Sequence, residues 1–563
     1  MPFDSSPAPE IGQVPAGLSP FAAYDQLVHG AIARMTGGRS PILATEAWLD
    51  WITHLALSPG KQMDLLLQAG EAATRLSHRP SKADGSIADL GTWPYDFLES
   101  AHRASRDWWH SATTGVRGVS QRHEQVLDAK VSEVFQAISP KNSPLTNPAV
   151  QRVTLDRGGR NLIDGAKNVL ADIAGRKKSA PSETFAVGKT LGITPGKVIF
   201  RNPLIELIQY EPATPTVHPE PVLIVPAWIM KYYILDLRPQ NSMIRYLVGQ
   251  GHTVFSISWV NPTAEHQTVS MDDYRRLGVM AAIDTIGQVV PDKKIHAAGY
   301  CLGGTMLSIA AAAMARDNDD RLASVTLFAA QTDFSEPGEL KLFISDSELT
   351  WLDSLMSQNG GLQGEQMAAA FQALHAEDLI WTPFIHRYLL GEAENLNDLM
   401  SWNADQTRMP RRMHSEYLRS LFLNNDLAAG HFVVGGRPIV LRDIRVPIFA
   451  LGTAKDHVAP WHSVFKITLL ARTDVTFCLA SGGHNAGVVS EPGHKGRSYR
   501  VLTMPGTESY VDPDAYLVRA KQCDGSWWPE WQRFLSERSG ALVAAPVMAP
   551  SLCDAPGTYV LAA

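Results

Sequence analysis

The sequence predicts an α/β protein in which a mostly helical N-terminal domain precedes a catalytic domain built on a mostly parallel, doubly wound sheet. Three observations predict it. Helical patterns prevail up to about residue 178, and short apolar runs alternate with helical segments after that point. In addition, a glycine-bounded turn at 299–304 joins one apolar run to a helix-forming segment. Strands separated by helices along a chain assemble into parallel sheets, because each crossover helix covers a face of the sheet.

The composition is that of an ordinary globular enzyme. The chain has 563 residues, 45% of them hydrophobic and 19% charged, which suffices for two domains with full cores. Its net charge of −7 argues against nucleic acid as a partner, because no basic surplus is available to neutralise phosphates.

The same composition indicates the compartment. The 4 cysteines have no CxxC spacing and are too few for a disulfide framework, so they are predicted to be reduced. The N-terminal segment lacks the basic and apolar regions of a signal peptide, and no uncharged apolar stretch approaches the roughly 20 residues that span a bilayer. We therefore expect a cytoplasmic protein without a transmembrane segment.

The chain divides into four predicted parts. Residues 1–20 are rich in Pro, Ser, Ala and Gly and are predicted to be disordered. Residues 21–180 are predicted to form the mostly helical domain, which ends in a linker at 175–182. Residues 181–540 are predicted to form the catalytic domain, and 541–563 a C-terminal tail.

The catalytic domain is predicted from apolar runs of strand length. An early hairpin is predicted at Val198–Tyr210, and further strands at 221–225, 252–259, 293–300, 322–330, 446–451 and 475–480. The interval of about 331–440 breaks this alternation with mixed helical patterns. Insertions of that kind form a lid or cap over the active site in many enzymes, and we expect one here.

The segment Gly299-Tyr300-Cys301-Leu302-Gly303-Gly304 carries the strongest functional signal. A Gly-x-nucleophile-x-Gly turn between a strand and a helix is the nucleophile elbow of the α/β-hydrolase fold. Glycines flank the nucleophile because the turn is too tight for a Cβ atom. The nucleophile here is Cys301 in place of the more usual Ser, which indicates acyl transfer between thiols rather than simple ester hydrolysis.

Two further residues complete a candidate triad in the order nucleophile, acid, histidine that this fold uses. Asp456 follows the predicted strand at 446–451, and His484 lies in a small-residue loop after the predicted strand at 475–480. His484 would deprotonate Cys301, and Asp456 would orient the imidazole. The backbone N–H of Leu302 would donate to the oxyanion, together with a second donor from the loop at 227–229.

Each residue also has a structural interpretation. Cys301 could be a buried cysteine beside glycines, Asp456 a helix N-cap, and His484 a solvated loop residue. The conjunction of three residue types in the required order, each at the end of a predicted strand, favours the triad. The 18 histidines show no HExxH motif or His/Cys spacing of a metal site, so we predict no metal and no cofactor.

Beyond the triad, the sequence resembles the polyhydroxyalkanoate synthases, the bacterial polyester polymerases. The resemblance spans roughly residues 90–540. Its motifs are Ser139–Pro148 (SPKNSPLTNP), Lys231–Pro239 (KYYILDLRP), Gly251–Phe255 (GHTVF), Ser258–Pro262 (SWVNP), Gly299–Thr305 (GYCLGGT), Trp402–Asp405 (WNAD), Asp456–Trp461 (DHVAPW), Gly483-His484 and Gly525–Pro529 (GSWWP).

The resemblance implies an acyltransferase that polymerises (R)-3-hydroxyacyl-CoA into polyester, with release of CoA, through a thioester on the nucleophilic cysteine. It implies the triad Cys301, His484 and Asp456, the same three residues. It also implies a homodimer, an association with polyester granules, and no cofactor beyond the CoA thioester substrate. A hydrolase on the same fold, either a thioesterase or an intracellular polyester depolymerase, is the alternative, and a non-catalytic granule-coating protein is a second one.

The resemblance is greatest to the single-subunit, class I enzymes, since the N-terminal domain has full length. Leu302 in GYCLGG resembles the short-chain enzymes, which implies monomers such as 3-hydroxybutyryl-CoA. Two positions depart from the family pattern: Met230 stands where Asn is usual, and Val260 replaces an Arg. Both departures leave the candidate triad intact and bear on rate and substrate range.

Overall fold

The computed structural model describes residues 20–36, 40–77, 94–174, 183–367, 380–392 and 397–562. The predicted disordered segment, apart from Pro20, and the predicted linker lie outside these residues. Over the described residues the chain forms two compact units. The catalytic unit combines Met1–Arg39, Val187–Met367 and Trp402–Ala563, and the helical unit combines Ser40–Ala186 and Ala368–Ser401. The predicted insertion at 331–440 therefore contributes residues to both units.

Most helices of the helical unit begin at prolines or at capping side chains. Ser40 and Asn147 accept hydrogen bonds from backbone amides of the first turn, and each is followed by a proline at the first helical position. The helices of the N-terminal part are α1 (Pro20–Met35), α2 (Pro41–Ala56), α3 (Pro59–Ser77), α4 (Tyr95–Thr113), α5 (Gln121–Ala137), α6 (Pro148–Asp156) and α7 (Arg160–Ile173).

The helices that follow alternate with the strands or belong to the insertion. They are α8 (Met243–Gly249), α9 (Met271–Asp273), α10 (Ala281–Val289), α11 (Leu302–Arg316), α12 (Asp346–Asn359), α13 (Thr382–Phe384), α14 (Asp398–Ala404), α15 (Arg411–Tyr417), α16 (Asp426–Ala429), α17 (Trp461–Phe465), α18 (Ile467–Leu470), α19 (His484–Val488), α20 (Pro513–Arg519) and α21 (Trp528–Ser536). A π-helix at Tyr274–Met280 connects α9 to α10. No helix within the described ranges is both long and apolar enough to cross a bilayer.

The strands form one large sheet and three small two-stranded ones. They are β1 (Gly196–Arg201), β2 (Ile205–Tyr210), β3 (Thr216–Val217), β4 (Val222–Val225), β5 (Val254–Trp259), β6 (Ile295–Tyr300), β7 (Leu322–Phe328), β8 (Gly361–Leu362), β9 (Met409–Pro410), β10 (Val433–Val434), β11 (Arg437–Pro438), β12 (Ile448–Thr453), β13 (Val475–Ala480), β14 (Ser498–Met504), β15 (Lys521–Asp524), β16 (Val543–Ala544) and β17 (Cys553–Asp554).

The large sheet has the order β15-β14-β13-β12-β7-β6-β4-β5-β2-β1-β17. Its centre, from β5 through β13, is parallel, and its edges are antiparallel. The central strands are buried along their length, apart from the half-buried Ala323 of β7, because helices cover both faces of a doubly wound sheet. The predicted α/β-hydrolase class is confirmed, and the predicted hairpin is the antiparallel pair of β1 and β2.

Helix α1 packs within the catalytic unit, although the sequence placed its residues in the helical domain. Ala33 forms a buried cluster with Trp351 and Leu355 of α12. The close approach is possible because the facing positions of α1 are small: a Cβ atom at Gly30 would lie 2.2 Å from the side chain of Gln358. Local helical pattern predicts that α1 forms but does not say which neighbour covers its buried face.

Three histidines meet at the amino ends of the central strands, on the edge of the sheet opposite to the predicted triad. The rings of His218 and His252 stack with centroids 4.6 Å apart, and His296 contacts Ser324 Oγ through Nδ1 at 2.7 Å. Burial lowers the pKa of His252 to about 3 and that of His296 to about 4. Within the described residues, no group of three or more His, Cys, Asp or Glu side chains has an arrangement that could hold a metal ion.

We expect the fold to lose stability as the pH falls below 6.5. An unfolded histidine binds a proton near pH 6.5, whereas folded His252 stays neutral down to about 3, so the unfolded state is favoured by about 1.4 kcal/mol per pH unit in that window. Urea denaturation at pH 7 and pH 5 should show a smaller loss in His252→Leu than in the wild type. The exposed His431 is the control, and a pH dependence shared by His252→Leu and His431→Leu would contradict this assignment.

Candidate active site

The nucleophile elbow lies where β6 ends and α11 begins. Cys301 occupies the turn with φ 52° and ψ −125°, a backbone conformation that costs free energy for a residue with a side chain. Its amide donates to Phe328 O at 2.8 Å, which ties the turn to the neighbouring strand β7. The sheet thus holds the strained turn in place. The turn presents the Sγ atom at the carboxyl ends of the parallel strands.

Backbone close packing explains the glycines of the elbow. A Cβ atom at Gly299 would lie 2.4 Å from the Cα of Gly304, and one at Gly303 would lie 2.1 Å from Val225 O and 2.5 Å from Pro226 O. Real Cβ atoms do not approach backbone atoms so closely. The start of α11 therefore presses directly on the loop that follows β4, the loop in which the second oxyanion donor was predicted.

The substitution Gly303→Ala should destabilise the protein by about 3 kcal/mol or more, because the added methyl group meets backbone carbonyls that cannot move aside. The matched control is Gly287→Ala in α10, where no atom lies within 4 Å of the added Cβ. That change should stabilise the helix by about 0.5–1 kcal/mol. Chemical denaturation of both variants tests the contrast, and a shift of the same sign in both would contradict it.

Asp456 follows β12 and is held in a network that uses both carboxylate oxygens. Its Oδ1 accepts from the amides of Val458 at 2.9 Å and Ala459 at 2.8 Å, and its Oδ2 accepts from Thr453 Oγ1 at 2.8 Å. The carboxylate has no solvent exposure. The two hydrogen bonds from these backbone amides are those of an N-cap-like turn. Asp456 therefore also makes the contacts that its interpretation as a helix N-cap predicts.

His484 begins α19, directly after β13, and its Nδ1 lies 2.8 Å from Asp456 Oδ2. The Cys301 thiol lies close enough to the imidazole to contribute to the raised pKa of His484. Tyr300 packs against the imidazole with ring centroids 5.5 Å apart, and its hydroxyl donates to Asn485 Oδ1 at 2.5 Å. The structure therefore brings together the three residues that the sequence indicated.

Charges inside the site shift two pKa values in opposite directions. Burial alone would raise the pKa of Asp456, but attraction to His484 and the hydrogen bonds that Asp456 accepts hold it below its usual value. Burial alone would lower the pKa of His484, but the charges of Asp456 and Cys301 and the bonds to both hold it well above its usual value. The site thus stabilises a protonated imidazole between two acidic groups, the arrangement that a thiolate–imidazolium pair requires.

The predicted oxyanion donors lie beside the nucleophile. Leu302 is the first residue of α11, so its N–H belongs to the group of amides that a helix leaves without internal acceptors. The loop at 227–229 follows β4, and β4 pairs with β6 through Val225 opposite Gly299. A carbonyl oxygen of an acyl group on Cys301 would meet the positive end of the helix at this point.

The remaining candidate residues lie elsewhere. Cys478 is buried in β13, while Cys523 and Cys553 are half-buried. His457 is exposed next to Asp456. No second cysteine in the described residues shares the environment of Cys301.

Comparison with known proteins identifies the family. The chain matches the descriptions "Poly-beta-hydroxybutyrate polymerase (PhaC) N-terminus" over residues 91–247, "Poly-beta-hydroxybutyrate polymerase N terminal" over 19–61 and "alpha/beta hydrolase fold" over 220–483. A poly(3-hydroxyalkanoate) polymerase of Methylorubrum extorquens is 38% identical over 519 residues, which cover 91% of this chain and 84% of that protein. The chain belongs to the poly(3-hydroxyalkanoate) polymerase family.

A second relative agrees with this membership. The poly(3-hydroxyalkanoate) polymerase subunit PhaC of Rhizobium meliloti (strain 1021) is 38% identical over 474 residues, 83% of this chain and 77% of that protein. Among solved structures, the monoacylglycerol lipase of Paleococcus ferrophilus covers 59% of this chain and 97% of its own, with 12% identity and a TM-score of 0.33. Members of the polymerase family are acyltransferases, and this chain is therefore an enzyme of that class.

Sequence reasoning about this polymerase-family chain missed the aromatic residues around the nucleophile. Tyr417, the last residue of α15, lies close enough to Cys301 that burial and the thiolate charge together raise the pKa of its phenol. Its ring contacts Trp228 at a centroid distance of 6.3 Å. No motif marks Tyr417, because it comes from the insertion. The only local signal for Trp228 was its position in the predicted oxyanion loop.

Proposed function

We propose that this chain polymerises (R)-3-hydroxyacyl-CoA into polyhydroxyalkanoate, with the growing acyl chain carried as a thioester on Cys301. One observation carries the proposal: a cysteine at a strained elbow lies close enough to a histidine for their charges to interact, and a buried carboxylate contacts that histidine at 2.8 Å. The names of the relatives, poly(3-hydroxyalkanoate) polymerases, support the polymerisation.

The first step is thioester exchange. His484 takes the proton of the Cys301 thiol, and the thiolate attacks the thioester carbonyl of the acyl-CoA. The oxyanion that forms accepts hydrogen bonds from the amide of Leu302 and from an amide of the loop at 227–229. The tetrahedral intermediate then expels the CoA thiolate, which takes the proton back from the imidazolium. One thioester is broken and another is made, so the step is nearly balanced in free energy.

The second step forms the polymer. The 3-hydroxyl of a further hydroxyacyl group attacks the carbonyl on Cys301 and gives its proton to His484. An ester bond forms, the C–S bond breaks, and the proton returns to the Cys301 thiolate. The change from thioester to ester drives the step forward, and this drive would be lost if a serine carried the chain as an oxygen ester.

Asp456 fits the role of a positioning residue. Direct activation of the incoming hydroxyl by its carboxylate is the alternative role. However, its oxygens accept from Thr453, Val458 and Ala459 and contact His484, and the side chain is fully buried. These contacts support a carboxylate that holds the imidazole tautomer and stabilises the imidazolium.

Hydrolysis of the thioester competes with elongation, so the site must exclude water. The wall beside Cys301 is aromatic and buried: Tyr417 and Trp228 have only 7% and 1% of their surface exposed. Tyr417 belongs to the insertion between β7 and β12, which supports the predicted role of that insertion as a cover over the site.

The substrate class within the family is also a proposal. Leu302 and the helical N-terminal part favour a single-subunit, class I enzyme that takes short-chain monomers such as 3-hydroxybutyryl-CoA. Met230, one of the two departures from the family pattern, forms a β-bridge with Gln406 next to the predicted oxyanion loop. A homodimer, a cytoplasmic location and attachment to polyester granules belong to the same proposal.

The test is product analysis. The purified protein is incubated with (R)-3-hydroxybutyryl-CoA, and CoA release is followed together with the amounts of polyester and of free 3-hydroxybutyrate. Polyester as the main product supports the proposal, and free acid as the only acyl product would replace it with a thioesterase. The C8 substrate (R)-3-hydroxyoctanoyl-CoA is the control for chain length, and faster turnover of that substrate would contradict the short-chain assignment.

A further inference from the structure

Trp228 carries a buried hydrogen-bond donor that the proposed mechanism does not use. The residue is 1% exposed, and its Nε1–H finds no acceptor among the described residues. Leaving a buried donor without a partner costs free energy comparable to a lost hydrogen bond, so such a group in a well-packed protein calls for a reason. The buried indoles of Trp528 and Trp531, by contrast, donate to Val488 O at 3.0 Å and Thr326 Oγ1 at 3.0 Å.

The backbone places the loop that carries this donor beside the nucleophile elbow. Trp228 lies in the loop after β4, three residues beyond Val225, and the carbonyls of Val225 and Pro226 touch Gly303 at the start of α11. Thr407 Oγ1 donates to the Trp228 carbonyl at 3.2 Å, and Trp259 Nε1 donates to Pro226 O at 2.9 Å. The loop is therefore held on both sides, and the indole is fixed relative to the elbow.

The ring contacts link the indole to Tyr417, which lies near Cys301. Its centroid lies 6.3 Å from that of Tyr417, edge to face at 86°, and 5.5 Å from that of Tyr274. Tyr417 lies near enough to Cys301 for the charge of that residue to contribute, after burial, to the raised pKa of the phenol. The buried His414, whose ring lies 6.0 Å from that of Tyr417, also has an Nδ1 atom without a partner in the described part of the chain.

The chemistry of this neighbourhood selects an uncharged acceptor. An indole N–H is only a donor, so its ligand must supply an oxygen lone pair. The adjoining phenols of Tyr274 and Tyr417 are neutral, since burial raises the pKa of both. A charged ligand group would be desolvated there at a high cost, whereas an ester carbonyl would not.

We propose that the Nε1–H of Trp228 donates to a carbonyl oxygen of the hydroxyacyl chain bound next to Cys301. The inference rests on the proposed function and adds a subsite to it. Every repeat of a polyester supplies one such carbonyl, so a single donor at a fixed place sets the register of the chain relative to the nucleophile. Trp228 is thus a binding residue, distinct from the oxyanion donors, which contact the reacting carbonyl.

Binding without turnover tests the subsite. The probe is the methyl ester of an (R)-3-hydroxybutyrate trimer, titrated by calorimetry into the full chain carrying Cys301→Ala. Adding Trp228→Phe should weaken binding about fivefold, the effect of one neutral hydrogen bond. Trp531→Phe is the matched control: it is equally buried, its Nε1–H is bonded to Thr326, and it should leave trimer binding unchanged.

A second variant separates the N–H from the shape of the ring. Replacing Trp228 by benzothienylalanine keeps the bicyclic outline and removes the donor, so binding should weaken as in Trp228→Phe. Unchanged trimer binding in the benzothienylalanine variant would overturn the inference, as would equal weakening in Trp531→Phe, or no trimer binding in the Cys301→Ala chain. Because none of these measurements uses turnover, a failure of CoA release in the wild type would count against the proposed function alone.

Discussion

Replacing Cys301 by alanine should abolish CoA release from (R)-3-hydroxybutyryl-CoA, with a loss of at least about 10⁴-fold. Without the sulfur no covalent intermediate forms, and the remaining groups can only bind substrate. The loss should leave the fold intact, because alanine has a Cβ atom and tolerates the elbow as well as cysteine does. Release of CoA is measured with a thiol reagent, and acylation of the protein by mass spectrometry.

The control for this experiment is Cys553→Ala. Cys553 is half-buried in the edge strand β17 and contacts Arg201 Nη2 at 3.7 Å, away from the elbow. This variant should keep the wild-type rate. Wild-type rates in Cys301→Ala, or an acyl adduct trapped on Cys553, would overturn the assignment of the nucleophile.

Replacing His484 by alanine should lower CoA release by about 10³-fold or more, because the thiol then has no base. The residual rate should depend on pH in a defined way. Free thiols ionise near pH 8.5, so without the imidazole the variant should gain about tenfold per pH unit from pH 7 toward that value. The wild-type rate should lack this rise. The charges of Asp456 and Cys301 hold the pKa of His484 well above its usual value and stabilise the ion pair at neutral pH.

The matched control is His457→Ala. His457 is exposed and directly follows Asp456, so its removal should change the rate by no more than about twofold. A large loss of activity in His457→Ala together with a small loss in His484→Ala would show that His457, and not His484, is the base. A His484→Ala variant with a flat pH profile would show that another group deprotonates the thiol.

Much of the catalytic unit could be predicted because its signals are local. The elbow glycines, the apolar strands and the loops that end in Asp456 and His484 are each contained within about ten residues. Parallel strands bring their carboxyl ends to one edge of a sheet, so residues at those ends come together whatever their distance in sequence. In the structure, Asp456 Oδ2 lies 2.8 Å from the Nδ1 atom of His484, as this argument expects. The catalytic roles of the two residues stay predictions until the variants are measured.

The features that escaped prediction depend on packing between distant segments. Helix α1 was assigned to the helical domain by its position in the chain, yet Ala33 packs against Trp351 of α12. The insertion was expected to form a lid or cap, and its described residues 380–392 and 397–401 belong to the helical unit. Tyr417 carries no motif, and its proximity to Cys301 arises because α15 comes from that insertion.

The sequence by itself determined the fold class, the family and the order of the candidate catalytic residues, because turn geometry and strand periodicity act over short stretches of chain. Only the tertiary structure decided what surrounds the sulfur. The environment of Cys301 is made by the loop carrying Trp228, by Tyr417 from the insertion and by His484 at the start of α19. The groups around the sulfur become buried only once those segments have packed. Their burial then shifts their pKa values and makes a partner necessary for each buried hydrogen-bonding group.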